Sequence, residues 1–338
     1  MNIKNISCFK EKSINKNDSL AIKGFVIILI ILGHNKLLSC EHLPFLFGYL
    51  YSFHVGVFFI LPLFYDIKKT HKIREHIPNT FVKLFIPYII LYTLLFVLNR
   101  FMNISWSISD VYMYFVGMFS VDPSVIYKTS NAQYMWFVPS FFFFSVVLDY
   151  LKRNKYDTIK FLLPIALVLY SLGDFIYNLL FRLPLYLTIS FASLIIVENI
   201  KKTVYIKILS VTSFAILSVV IINGYLQPKG WVHLVMSISF FLIIYSYREI
   251  FGKMPMLKEI GKYSFPMYLL HFFIYNTLVL ILPHTFLSSL MILILTIFLS
   301  YIISWVIMKN VRPYIFPNSF TELKNTWLKN SSLCKKTK

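Results

Sequence analysis

Residues 20–38 read Leu20-Ala21-Ile22-Lys23-Gly24-Phe25-Val26-Ile27-Ile28-Leu29-Ile30-Ile31-Leu32-Gly33-His34-Asn35-Lys36-Leu37-Leu38. The run has the length of a single bilayer crossing, about 20 apolar residues, yet it holds Lys23 and His34. Eleven helical positions at 100° each return to within about 20° of the start and rise about 16 Å. Both side chains therefore share one face. An ionisable residue inside such a span marks a candidate functional site, and an imidazole titrates near neutral pH.

Working outward, the rest of the chain is of the same kind. Of its 338 residues 58% are hydrophobic and 14% charged, with a mean hydropathy of +0.69, against roughly 25% charged residues in soluble domains. This composition specifies an all-α polytopic membrane protein whose environment is the lipid bilayer. Apolar runs of about 17 to 25 residues predict a bundle of about ten transmembrane helices, at 20–38, 44–65, 80–101, 135–151, 158–174, 182–198, 203–222, 231–248, 263–282 and 286–308. The first 19 residues form a leader, 20–308 the transmembrane domain, and 309–338 a basic tail.

The formal charge of +19 does not imply nucleic acid, because the basic residues form no long tract and follow topology. With a cytoplasmic N-terminus, Lys68, Lys69, Lys72 and Arg74, the Lys152–Arg153–Lys155 turn, Lys201 and Lys202, the loop from Arg248 to Lys262 and the tail all fall inside. Lys36, Arg100, Lys128, Arg182 and Lys229 fall outside. That alternation needs an even number of spans and puts both termini in the cytoplasm. Three cysteines, Cys8 and Cys334 inside and Cys40 outside, predict no disulfide. Leu37-Leu38-Ser39-Cys40 faintly suggests a lipoprotein cleavage site, but the polar leader is long and nine spans follow, which favours a retained helix.

The spans are joined mostly by short turns, and no repeat or soluble domain interrupts them. Segment 102–134 is the exception. Its mixture of Trp106, Tyr112, Tyr114 and Phe119 with Asp110, Asp122 and Lys128 fits either an interfacial helix with a loop over the outer mouth or a simple aromatic-belt connector. On the same side Glu41, His42, Asp174, Asn178, Arg182, His233 and His284 offer hydrogen bonds to a hydroxyl-rich ligand.

Three histidines lie within spans: His34, His54 and His271. Counted from span ends, His34 is near the outer boundary while His54 and His271 are nearer the midplane. No HExxH pattern, and no cysteine or carboxylate close in sequence, accompanies them, so no metal is expected. Lys23 sits at the cytoplasmic end, where it can snorkel. Lys83 enters the third span at the same face, and together with Arg74 and the Lys253–Lys262 loop it suits a phosphorylated ligand arriving from the cytosol.

Five fragments then align in order with one family. Asp18-Ser19-Leu20-Ala21-Ile22-Lys23 followed by Leu32-Gly33-His34 resembles the opening signature of the membrane-bound acyltransferase-3 family: a basic residue, ten residues, then histidine. Phe53-His54-Val55-Gly56-Val57-Phe58-Phe59 resembles its second-helix motif, and Lys83-Leu84-Phe85-Ile86-Pro87-Tyr88 its entry to the third helix. Tyr134-Met135-Trp136-Phe137-Val138-Pro139 is similar to its Trp-Phe motif. Ile260-Gly261-Lys262-Tyr263-Ser264 through Met267-Tyr268-Leu269-Leu270-His271 is similar to its late Tyr-Leu-His motif.

The resemblance implies ten helices in a bacterial inner membrane. It also implies acyl-CoA, first of all acetyl-CoA, as a cytoplasmic donor, and a hydroxyl of a surface glycan as acceptor. Carried over, Lys23 and His34 match the basic residue and the catalytic histidine, and Lys83 the second half of a paired-arginine motif. Thr80 stands where the first arginine would be, and Ile60-Leu61-Pro62 replaces the usual Ser-Gly after the second-helix motif.

Acyl transfer from a thioester to an alcohol needs a base, a path for the thioester and a donor to the tetrahedral oxyanion. The expected roles are His34 as base, Lys23, Lys83 and Arg74 on the nucleotide, and His54, Trp136, Tyr268 and His271 around the acceptor, with Tyr268 or Trp136 donating to the oxyanion. A covalent acyl-histidine is the alternative within the same chemistry. A polysaccharide flippase or polymerase of the same pathway is the main rival. It would show inverted halves with interrupted helices or a large external loop. A non-catalytic membrane scaffold is the third reading, and it leaves Lys23 and His34 without a role.

Overall fold

The computed structural model describes residues 14–64, 73–103, 108–130, 133–154, 163–169, 182–199, 203–227 and 230–326. Among these residues the chain is helical and contains no strand. In chain order the helices are α1 (Lys16–His34), α2 (Pro44–Tyr51), α3 (His54–Ile60), α4 (Ile73–Asn103), α5 (Ile108–Phe119), α6 (Pro123–Ser130), α7 (Phe137–Asn154), α8 (163–169), α9 (Leu183–Asn199), α10 (Thr203–Ile222), α11 (Trp231–Ser246), α12 (Arg248–Gly252), α13 (Pro255–Lys262), α14 (Ser264–Ile281), α15 (Phe286–Asn310) and α16 (Arg312–Ile315). The loop bearing Lys68, Lys69 and Lys72, most of the span expected at 158–174, Asp174, Asn178, Lys201, Lys202, Lys229, Cys8 and Cys334 lie outside the described residues.

Among the described residues seven helical stretches are long and apolar enough to cross a membrane: Lys16–His34, Pro44–Phe64, Ile77–Leu98, Tyr134–Leu151, Val204–Ile222, Ser264–Ile281 and Phe286–Asn310. Each coincides with one of the ten expected spans. Two more expected spans are helices, α9 and α11, but with 17 and 16 residues they reach only about 25 Å, short of a hydrocarbon core about 30 Å thick. The outward faces need lipid. On α10, Val204, Ile208, Leu209, Ile216 and Val219 are exposed, and on α15 Leu287, Ile294 and Phe298. Apart from Ile292, the buried residues of α15 are small and hydroxylated, Ser288, Ser289, Thr296, Ser300 and Ser304, the pattern by which membrane helices approach neighbours closely.

The chain forms two compact units. The first contains α1–α3, α9–α14 and α15 as far as Ser304; the second contains α4–α7 and the chain from Trp305.

In the first unit the organising contact is backbone on backbone. Gly24 of α1 and Gly261 of α13 face each other so closely that a Cβ on Gly24 would stand 2.0 Å from the Leu257 carbonyl oxygen, and one on Gly261 1.8 Å from that of Leu20. Only glycine permits this approach. Asn15 caps the start of α1: its side chain accepts from Asp18 N at 2.8 Å and donates to the Asp18 carboxylate at 2.8 Å. Asp18 in turn lies over Gly252 of α12.

The second span is broken at Ser52–Phe53, between α2 and α3. The Ser52 carbonyl freed by the break accepts from the Ser237 hydroxyl of α11 at 3.2 Å, so the interruption leaves that group satisfied. Gly56 admits α11 at that crossing, with Ser237 2.8 Å from where its Cβ would be. Below, Phe59 stacks on Tyr186 of α9 at 3.6 Å. The span ends in a 3-10 turn, Leu61–Phe64, which contains Pro62.

In the second unit α4 packs on α7 through Phe81, Phe85 and Phe142, with ring centroids 5.8 and 5.0 Å apart. Within segment 102–134 the structure describes two helices, α5 and α6, joined by a short turn at 120–122.

Candidate functional site

His34 is the last residue of α1, and several bonds fix the chain just beyond it. Asn35 donates its amide to the Ser289 carbonyl of α15 at 2.9 Å and accepts from Leu38 N at 3.1 Å. Leu37 N donates to the Tyr275 hydroxyl of α14 at 3.1 Å, and the Ser39 hydroxyl donates back to the Gly33 carbonyl at 3.1 Å. The chain then winds through a π-helical turn, Leu37–His42. Such turns are frequent at functional sites. His34 is thus anchored from its C-terminal side and is buried.

The Tyr51 hydroxyl, at the end of α2, lies 2.8 Å from His34 Nδ1 and 3.0 Å from Nε2. The same tyrosine ring stands edge-on to His54, with centroids 5.0 Å apart. Gly33 lies beside both rings: a Cβ there would meet Tyr51 at 3.5 Å and His54 at 3.7 Å, ordinary contact distances. From α14, His271 brings its ring centroid 5.0 Å from that of His34, and Phe272 closes edge-on at 6.2 Å. Tyr268 lies 5.8 Å from His271 between ring centroids.

Two of the imidazoles have assigned protons. His54 Nδ1 pairs with the Leu50 carbonyl, and His271 Nδ1 with that of Tyr268 at 2.6 Å. A carbonyl only accepts, so both carry hydrogen on Nδ1 and leave Nε2 as an acceptor. His54 Nε2 is buried and meets no hydrogen-bond partner among the described residues, which fits an acceptor for a ligand's hydroxyl.

The expectation that the three histidines differ in depth is therefore corrected. Depth counted along sequence assumed straight helices of equal length. Instead α1 stops at His34, the second span breaks one residue before His54, and α14 carries His271 to the same place. Among the described residues no group of three or more His, Cys, Asp or Glu is arranged to hold a metal ion. The cluster offers imidazole and phenol groups inside an apolar shell, a setting for proton transfer.

Lys23 lies on the same continuous helix as His34, so the ideal separation of about 16 Å along one face applies. It is half-buried, next to Gly24 and the α13 crossing. Of the other expected residues, His54, His271 and Tyr268 join His34. Lys83, exposed on α4, and Trp136, buried at the head of α7, belong to the second unit, as does Arg74, placed in the first turn of α4. The guanidinium of Arg182 lies 4.1 Å from the Trp136 ring centroid, and Arg182 has a positive φ of 59°. That tryptophan face is occupied by a cation, a favourable pairing.

Sequence reasoning missed Tyr51. The chain has 23 tyrosines, and nothing in composition separates this one. The available signal was its place three residues before His54, one turn along the same run.

Comparison with known families agrees over most of the chain: a family model described as an acyltransferase domain matches residues 19–309. No curated protein and no solved structure matches.

Proposed function

The chain belongs to the acyltransferase-3 family of membrane acyltransferases, and we propose that it moves an acyl group, acetyl in the first instance, from cytoplasmic acyl-CoA to a hydroxyl of a cell-surface glycan or its lipid-linked precursor. The observation that supports this reading is the convergence of His34, His54 and His271 with Tyr51 on one buried centre, at the far end of the helix that carries Lys23. A flippase or polymerase has no evident use for such a centre.

In this reading Lys23 receives the donor's phosphates. The pantetheine arm runs toward His34. One imidazole nitrogen of His34 takes the proton of the acceptor hydroxyl as its oxygen attacks the thioester carbonyl. Tyr51 accepts from the other nitrogen and holds the ring in orientation. The tetrahedral intermediate collapses with loss of the CoA thiolate, to which His34 returns the proton that it took from the acceptor, restoring the base. His54 Nε2 accepts from a second hydroxyl of the acceptor, and Tyr268, whose ring lies beside His271, donates its hydroxyl to the oxyanion.

The direct test is the ester content of the purified glycan, by NMR, from cells with and without the gene; equal acylation in both would remove the function. Lys23→Ala is expected to weaken acyl-CoA binding by about 1–3 kcal/mol, the range for charge-assisted bonds, while Lys23→Arg retains much of it. Unchanged affinity in Lys23→Ala would return Lys23 to the role of a topological anchor.

We also infer ten spans with both termini cytoplasmic in a bacterial inner membrane, on the distribution of basic loops. In a background lacking the native cysteines, Tyr225→Cys should react with an impermeant thiol reagent from outside intact cells, and Met256→Cys should not. Both side chains are exposed, so the opposite pattern would reverse the topology.

A further inference from the structure

The geometry points to α5 and α6 forming a re-entrant hairpin, which enters the bilayer beside α4 and leaves on the same side, with one face of α5 against lipid acyl chains. The helix α5 has 12 residues, about 18 Å at 1.5 Å per residue, too short to cross a core about 30 Å thick. It nevertheless lies alongside a helix that is long enough to cross.

The contacts between α5 and α4 run antiparallel. Tyr114 packs on Phe96 with centroids 5.0 Å apart, and its hydroxyl bonds that of Thr93 at 2.6 Å. One turn on, Gly117 faces the Tyr92 hydroxyl. The Tyr88 hydroxyl donates to the Met118 carbonyl at 2.7 Å, and Phe119 meets Phe85 at 6.1 Å. The crossing stretch of α4 is Ile77–Leu98. Phe85 therefore lies about 20 Å inside its Leu98 end, close to the middle of the span. The helix α6 then turns back: Thr129 accepts from the same Tyr92 hydroxyl at 2.9 Å.

The other face of α5 is the second observation. Val111, Tyr112, Phe115 and Phe119 are all exposed, and at 100° per residue they share an arc of about 100°. Asp110, Tyr114 and Gly117 lie on the other side, with the buried Met118 at the edge of the exposed arc. A helix lying flat in the headgroup region would set polar and charged side chains against its apolar face, whereas here both sides are largely apolar.

The turn meets the requirement that non-helical backbone at membrane depth be satisfied internally. Asp122 N donates to the Ser120 hydroxyl at 3.0 Å; Ser124 gives its N–H and its hydroxyl to Asp122 Oδ1 at 2.8 and 2.7 Å. Arg182 acts on the same carboxylate. Lys128, beside Thr129 at the level of Tyr92, is about 9 Å from the span's end, within reach of water by snorkelling.

The test uses the full chain in proteoliposomes, without native cysteines, carrying a nitroxide label at Val111, Phe115 or Phe119, and at Tyr225 as an aqueous control. Accessibility to oxygen, which partitions into lipid, is compared with that to a water-soluble nickel chelate. Labels at Phe115 and Phe119 should favour oxygen strongly, with Phe119 deeper than Val111. Nickel accessibility equal to that at Tyr225 would make the segment an aqueous loop, and equal shallow depths would make it an interfacial helix. Protection from both reagents would mean that protein covers the face. Any of these three results overturns the hairpin. Val111 and Phe115 point outward, so labels there disturb little packing, and Phe119, which also meets Phe85, is still half-exposed.

Discussion

His34→Ala is expected to abolish glycan acylation while the protein still reaches the membrane. A positioned general base supplies typically 100- to 10,000-fold in rate, so the ester signal in the glycan should fall below detection at matched membrane abundance. The substitution leaves the Tyr51 hydroxyl without the imidazole it meets at 2.8 Å, a loss of about 1–3 kcal/mol in stability. A bundle held by many helix contacts tolerates that, and abundance measured by immunoblot reports it directly. Tyr51→Phe provides the graded arm. It keeps the ring against His54 and removes only the hydroxyl, so kcat should fall about tenfold, the equivalent of one ordinary hydrogen bond, with KM for acyl-CoA unchanged. Full acylation with His34→Ala would defeat the mechanism. Wild-type kcat in Tyr51→Phe would leave His34 as base and remove Tyr51 alone.

The histidine variants separate two arrangements. If His54 and His271 were packing residues remote from His34, their Ala variants would leave turnover intact. Ring centroids 5.0 Å apart for His34 and His271, and for Tyr51 and His54, predict partial losses instead, smaller than that of His34→Ala because neither replacement removes the base.

Hydropathy located seven of the ten expected spans as membrane-long helices among the described residues, because a bilayer punishes polar residues in proportion to depth. The spans at 44–65, 203–222, 263–282 and 286–308 fall within a few residues of Pro44–Phe64, Val204–Ile222, Ser264–Ile281 and Phe286–Asn310. The break at Ser52–Phe53 escaped the same reading, since an uninterrupted apolar run carries no mark of where its backbone bends. What stabilises the bend is the Ser237 hydroxyl, 185 residues away. Lys23 and His34 were legible from spacing on one helix. Their company was not: the proximity of His271 depends on how α14 crosses α1, a tertiary fact with no periodicity. The same holds for α5, whose apolar pattern suits an interfacial helix or a connector equally until its antiparallel contacts with α4 are known.

The family-like fragment Ile260-Gly261-Lys262 gains a physical reason in this structure, and the strongest stability prediction follows from it. Gly261→Val should prevent accumulation of folded protein, and Gly24→Val should do the same. On either glycine a Cβ would lie about 2 Å from a backbone carbonyl oxygen, 1.8 Å at Leu20 and 2.0 Å at Leu257. The obstacle is main chain within a helix and has no rotamer to adopt. Relief requires α1 and α13 to move apart by more than 1 Å, which forfeits close contact along the crossing, where dispersion falls steeply with distance. Overpacking of this kind costs typically about 1–3 kcal/mol per added group, and Val adds three carbons. Gly261→Ala is the milder variant, with reduced thermal stability in detergent and weakened acyl-CoA binding, because parting the helices also displaces Lys23 beside Gly24. Gly33→Ala serves as the control: its Cβ would meet Tyr51 and His54 at ordinary contact distance, 3.5 and 3.7 Å, so folding should be unaffected. Equal abundance of Gly261→Val and Gly33→Ala in the membrane would show that α1 and α13 do not meet backbone to backbone.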